Sequence, residues 1–149
     1  MHKIILAVTI LTLISTLSFG QTIDSLKLSD TEIPSDYSRP SKILCKTVHS
    51  ASFYEQTDVY STFLGSIVKK DFQSFDKKGD KGSILYFEFE KDFTGEAFLN
   101  GLLWGQPGKP TKQKPDEYYA KGKFLIIWSF DLDSEIKMLS KTKVQSVLR

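Results

Sequence analysis

The chain has 149 residues, of which 40% are hydrophobic and 13% aromatic, and its formal net charge at pH 7 is +2. Composition of this kind excludes a disordered protein, because the apolar and aromatic side chains are numerous enough to build a core. The near-neutral charge argues against a nucleic-acid partner, because such binders need a strong basic excess to displace counterions from phosphates.

The amino terminus has the three parts of an export signal. Lys3 supplies a positive charge, residues 4–17 contain no charged side chain, and Ser18 and Gly20 place small side chains just before Gln21. The apolar stretch is shorter than the roughly 20 residues that a membrane-spanning helix needs. We therefore expect cleavage after Gly20, export to the periplasm or the extracellular space, and no stable membrane insertion afterwards. An uncleaved membrane anchor is the alternative.

The chain is expected to divide into three parts. Residues 1–20 are the predicted signal peptide. Residues 21–41 are rich in Ser, Asp and Pro without a sustained apolar period, which predicts a flexible leader. Residues 42–149 form one predicted domain. Cys45 is the single cysteine, so the domain has no internal disulfide to rely on and must be held together by burial, and we expect Cys45 to be buried too.

In the first half of the domain, the patterns predict a strand, a helix and a second strand. Residues 42–48 are apolar and β-branched, which favours a short strand. In residues 52–72, apolar side chains recur three and four positions apart, as on one face of a helix. Residues 76–82 are a predicted charged turn. Residues 83–91 alternate between apolar and polar side chains, which predicts a strand with one face on the core and the other in water.

The second half is predicted to hold a helix or hairpin, a loop, a strand and a final helix. Residues 94–105 carry a helical apolar stripe, although their glycines also permit a strand. Residues 106–123 contain prolines and glycines, which predicts a loop with at most one helical turn. Residues 124–130 are almost entirely apolar, as in a central strand buried on both faces. Residues 131–134 supply capping side chains for the last helix.

This order predicts an α+β fold. We expect a small sheet of about three or more strands, with two or three helices packed mainly on one face. A helix at residues 94–105 would allow the strands at 84–90 and 124–130 to run parallel through a right-handed crossover.

Two stretches have the composition of a ligand motif but lack its required residues. Residues 105–111 contain the Gly, Lys and Thr residues typical of a phosphate-binding loop, yet Leu103 and Pro110 stand where such a loop needs a glycine and a hydroxyl. Asp131 and Asp133 are spaced as in a calcium loop, but the glycine and glutamate that complete such a loop are missing. The sequence therefore predicts neither a cofactor nor a metal site.

Two residue pairs are candidates for catalysis. Glu88 and Glu90 lie on the same face of a predicted strand, and paired carboxylates serve glycoside hydrolysis. They are also what the wet face of an amphipathic strand normally carries. Cys45 and His49 are four positions apart, and such a pair can bind metal or supply a nucleophile. Ordinary strand and loop positions explain this second pair equally well.

The candidate binding surface is the Pro- and Gly-rich loop with the aromatic residues at its ends. Rings beside cations can stack on sugars or hold an acidic partner, and long loops in compact domains are often functional. The alternative is that the lysines only keep the loop solvated while the rings pack beneath it. The candidate ligand-binding residues are Trp104, Lys109, Lys112, Lys114, Tyr118 and Tyr119.

We therefore expect an exported, non-catalytic binding or accessory domain whose partner is a protein, a glycan or an envelope component. The alternative is a small exported hydrolase that uses Glu88 and Glu90, or Cys45 and His49.

Overall fold

A computed structural model describes residues 20–149. The predicted signal peptide lies outside this range except for Gly20. Within the range, none of the helices combines the length and the hydropathy that a bilayer crossing requires. The strands are β1 (Ile67–Lys77), β2 (Asp80–Phe89), β3 (Glu117–Lys121) and β4 (Phe124–Ser129). The helices are α1 (Ile23–Leu26), α2 (Val48–Glu55), α3 (Thr57–Leu64), α4 (Glu96–Trp104) and α5 (Glu135–Val147).

The four strands form one sheet in the order β1-β2-β4-β3, and every neighbouring pair is antiparallel. Both hairpins turn on a glycine with a positive φ, Gly79 at 85° and Gly122 at 58°, which other residues rarely adopt. Every residue of β4 is buried, which confirms the predicted central strand. The parallel arrangement of β2 and β4 is not found, because the chain returns from α4 through the β3–β4 hairpin.

Helices cover both faces of the sheet, and the α+β class is confirmed. On one face, here the α4 face, helices α2, α3 and α4 pack on side chains such as Phe87 and Ile127. On the other, the α5 face, α1 and α5 pack on Tyr86 and Trp128. Tyr86 lies on the face of residues 83–91 that the alternation predicts to meet water, but it is fully buried and its hydroxyl donates to Gln73 Oε1 at 2.8 Å. The alternation in β2 therefore separates two cores, not a core from solvent.

Residues 21–41 belong to the folded body, contrary to the prediction of a flexible leader. Ile23 and Leu26 in α1 are fully buried against the α5 face. The backbone of Leu28 exchanges two hydrogen bonds with the side-chain amide of Gln73, at 3.0 and 2.9 Å. The segment has few apolar residues and no regular apolar period. Its average composition therefore does not reveal that Ile23, Leu26 and Leu28 are buried.

The helix predicted at residues 52–72 is instead two helices followed by the start of β1. The helical path is interrupted between α2 and α3 at Gln56, and α3 ends at Leu64 with Gly65 as its C-cap. The helical spacing of apolar residues continues across the interruption between α2 and α3, although the helix itself does not. Phe63 is 66% and Val68 58% exposed, so the stripe is not one buried face. The turn predicted at residues 76–82 shrinks to two residues, with both strands extending into it.

The remaining elements follow their local patterns except for β3. Helix α4 confirms the helical alternative for residues 94–105, and α5 begins after Ser134, whose side chain accepts from the backbone amide of Lys137. The loop predicted at residues 106–123 contains β3 where a helical turn was expected. This strand depends on pairing with β4, which no local pattern reveals.

Candidate functional site

A row of buried polar side chains crosses the α4 face of the sheet from β1 to β3. Ser74 in β1 lies opposite Ser83 in β2, and Ser83 lies opposite Ser129 in β4. Ser129 Oγ donates to the carboxylate of Asp116, just before β3, at 2.6 Å. All four are buried, Asp116 completely. We call Ser74, Ser83, Ser129 and Asp116 the polar row.

Residues 42–47 lie across the polar row and are held by it. Every second residue of the segment bonds to the next serine of the row. Ser74 Oγ donates to the Lys42 carbonyl at 2.5 Å. The Leu44 and Lys46 amides donate to Ser83 Oγ and Ser129 Oγ, each at 2.7 Å. This spacing is that of an extended chain. The strand predicted at residues 42–48 is therefore wrong: the segment runs across the sheet and not beside a strand. Side-chain hydroxyls replace the backbone partners that a strand would use.

Cys45 and His49 share no hydrogen bond within residues 20–149 and differ in their exposure. Burial raises the pKa of the half-buried Cys45 thiol to about 11, with hydrogen bonds from Ser50 and Ser129 acting in the opposite direction. The thiol is therefore protonated near neutral pH, whereas nucleophiles and metal ligands are thiolates. His49 is exposed on α2, and no hydrogen bond joins it to Cys45 in the described chain. Within residues 20–149, no cluster of three His, Cys, Asp or Glu side chains is placed to hold a metal.

We expect Cys45 to react slowly with a thiol reagent in the native protein. At pH 8 its rate should be roughly 100-fold below that of an unperturbed cysteine, because the raised pKa lowers the thiolate fraction. The measurement is the reaction rate with Ellman's reagent, in buffer and again in denaturant. Equal rates in the two conditions would show that the thiol is neither shielded nor perturbed.

Glu88 and Glu90 differ in their exposure and in their position relative to β2. Glu88 lies within β2 and is half-buried, whereas Glu90 is exposed one residue beyond the strand, its backbone amide donating to the Ser66 carbonyl at 2.9 Å. Glu90 lines a small groove of about 210 Å³, and Glu88 is not part of its wall. The groove that Glu90 lines therefore does not bring the two carboxylates together.

The aromatic residues at the ends of the predicted loop form a fixed pair. Trp104, at the end of α4, stacks on Tyr118 in β3 with ring centroids 5.4 Å apart and an interplanar angle of 24°. Trp104 Nε1 donates to the Asp116 carbonyl at 2.7 Å, and the Tyr118 hydroxyl donates to Asn100 Oδ1 at 2.6 Å. Both rings are half-buried. The indole N–H and the phenol O–H therefore both donate to partners within the domain. Through its bond to Asp116, Trp104 links the end of α4 to the polar row.

The other candidate residues of the loop are placed differently. Lys109, Lys112 and Lys114 are exposed, and none forms an ion pair with a side chain in the described range. Lys112 borders a groove of about 380 Å³ shared with residues 131–133. Tyr119 packs against the α5 face, because successive side chains of a strand point to opposite faces. The structure therefore pairs Trp104 with Tyr118, leaves the three lysines in solvent and places Tyr119 on the opposite face of the sheet.

Sequence reasoning missed two features of this side of the molecule. One is the polar row, in which each of three strands carries a serine on the α4 face; only in β4 does the serine stand out from an otherwise apolar strand. The other is an exposed aromatic pair, Phe63 on α3 and Phe98 on α4, whose rings stack with centroids 5.3 Å apart. Helical spacing placed both phenylalanines on predicted buried stripes, although Phe98 is 37% exposed and Phe63 more so.

No protein-family model matches the chain, and no curated protein and no solved structure is significantly similar to it. The function is therefore inferred from the residues described above.

Proposed function

We propose that the chain is an exported, non-catalytic binding domain that holds an acidic partner through the loop of residues 105–116. The partner class is a protein, glycan or envelope component that carries carboxylate or phosphate groups. The observation that carries this proposal is the set of three exposed lysines, Lys109, Lys112 and Lys114, none of them paired with a carboxylate of the described chain. Cations on one loop can share a single anionic ligand.

The loop is held in shape before any partner arrives, which supports a binding role. Its two ends are joined by the hydrogen bond from Trp104 Nε1 to the Asp116 carbonyl. Inside it, Thr111 and Lys114 exchange two bonds, from the Thr111 amide to the Lys114 carbonyl at 3.0 Å and from the Lys114 amide to Thr111 Oγ1 at 3.1 Å. A loop already ordered loses less conformational entropy on binding.

Export is supported by the predicted signal peptide together with the place where the folded body begins. Gly20 and Gln21 are exposed, and the first buried side chain of the described chain is Ile23. Cleavage after Gly20 would therefore leave every core residue of the domain in place. The hydrolase alternative has less support, since the Cys45 thiol is protonated near neutral pH and Glu88 and Glu90 share no groove.

The proposal predicts that the loop lysines, and not basic charge in general, carry the binding. We expect the chain to bind polyglutamate or alginate, with an affinity that falls as salt is added. The triple variant Lys109→Ser, Lys112→Ser, Lys114→Ser should bind at least roughly tenfold more weakly, equivalent to about 1.4 kcal/mol for all three contacts together. The measurement is a titration by calorimetry or fluorescence at two salt concentrations.

A matched control removes the same charge elsewhere. Lys78, Lys121 and Lys123 are exposed at the two hairpin turns, and their triple serine variant should bind like the unaltered chain. If both triple variants lose affinity equally, the attraction is non-specific and the loop is not the site. If the unaltered chain binds neither polymer, the partner is not acidic.

A further inference from the structure

We propose that Gln21 is a modification site, where the exported chain closes its new amino terminus into a pyroglutamate ring. This inference rests on the cleavage after Gly20 that the proposed function includes. It adds a chemical step that the chain can perform on itself, with or without a cyclase.

The structure leaves Gln21 free to react. Its side chain is exposed and makes one long hydrogen bond, from Nε2 to the Val147 carbonyl at 3.4 Å. Thr22, in contrast, is fixed: its amide donates to Ser25 Oγ at 3.2 Å, and Ser25 Oγ donates to the Thr22 carbonyl at 2.6 Å. Ile23 is then fully buried. In the cleaved chain, Gln21 would therefore be the only residue before Thr22, where the hydrogen-bonded structure begins.

The reaction needs no partner molecule or oxidant. Cleavage gives Gln21 a free α-amine, and since such amines have a pKa of roughly 7.7–8.0, an appreciable fraction is neutral near pH 7.5. The amine nitrogen attacks the side-chain carboxamide carbon, the new C–N bond closes a five-membered lactam, and the bond to Nε2 breaks. Nε2 takes up the proton that the amine releases and departs as ammonia.

The fold tolerates the ring. Closing it requires rotations within the Gln21 side chain and replaces only the long contact to Val147. The Thr22 amide keeps its bond to Ser25, because that nitrogen takes no part in the reaction. The product has lost the positive charge of the α-ammonium group, and its amino terminus is closed to aminopeptidases.

The test is the mass of the secreted chain. The full chain is expressed with its native amino terminus in an export-competent host, purified from outside the cytoplasm, and analysed by intact mass and by tandem mass spectrometry of its first peptide. We expect a chain that begins at residue 21 and is lighter by one ammonia. The matched variant Gln21→Leu has a side chain of similar size but no carboxamide, so it should show no such loss.

The possible results separate the two proposals. A chain that begins at Gln21 with its full mass overturns the cyclisation and leaves export intact. A chain that retains residues 1–20, or begins elsewhere, overturns the cleavage and the cyclisation together. Ammonia loss that is equally frequent in Gln21→Leu would place the event at another amide and also overturn the assignment.

Discussion

Replacing Asp116 with alanine should lower the free energy of unfolding by about 3–5 kcal/mol. The carboxylate is completely buried and accepts hydrogen bonds from Thr47 Oγ1 at 2.5 Å and from Ser129 Oγ at 2.6 Å. Alanine removes both acceptors, which leaves the buried Ser129 hydroxyl and the half-buried Thr47 hydroxyl without this partner. Ser129 Oγ accepts from the Lys46 amide and Thr47 caps α2, so the damage should spread to the start of α2. Urea unfolding followed by tryptophan fluorescence measures the loss.

Two further variants make the Asp116 result specific. Asp133→Ala removes an exposed carboxylate and should change stability by less than about 0.5 kcal/mol. Asp116→Asn keeps one acceptor oxygen and should fall between the two. If Asp116→Ala and Asp133→Ala unfold at the same urea concentration, the polar row does not stabilise the fold.

The second large effect is expected at Gly82, where any side chain would strike the neighbouring strand. A Cβ at this position would lie 2.1 Å from the Ser129 carbonyl oxygen and 2.6 Å from Phe130 Cδ1. The oxygen belongs to the backbone of β4 and cannot rotate away, so β2 and β4 would have to separate. We expect Gly82→Ala to cost about 3 kcal/mol, at the upper end of overpacking effects.

The control for Gly82 is another glycine in regular structure. A Cβ at Gly101, on the outside of α4, would meet nothing within 4 Å. Gly101→Ala should therefore raise the free energy of unfolding by about 0.5–1 kcal/mol, because alanine is the better helix former. Thermal unfolding monitored by circular dichroism compares the two. Equal melting temperatures for both alanine variants would contradict the clash at Gly82.

The elements that the sequence predicted correctly are those whose pattern is local. Strands β2 and β4 and helices α4 and α5 each carry their own periodicity and end signals. The incorrect predictions concern segments that depend on distant partners. Residues 42–47 have strand-like composition, but their backbone partners are serine side chains from three strands. Residues 21–41 look disordered on average, but Ile23 and Leu26 are buried by α5 at the other end of the chain.

In the candidate site, too, local features could be predicted from the sequence and features that depend on distant partners could not. A charged loop flanked by rings could be read from the residues alone, and the structure does place its lysines in solvent. The packing of Trp104 on Tyr118 and the separation of Tyr119 could not, because both depend on β3 pairing with β4. Asp116 was part of the predicted loop, and nothing nearby in sequence marks it as the end of a buried row.

The contact between the two ends of the chain has a consequence for the order of events during synthesis. Ile23 near the start and Val144 and Leu148 near the end belong to one buried cluster. A ribosome or a translocation channel releases the amino end first, so Ile23 stays unburied until Val144 and Leu148 have emerged. The α5 face can then close only after α5 itself has been delivered. A chain interrupted before α5 would keep its first helix exposed, which marks it for proteolysis.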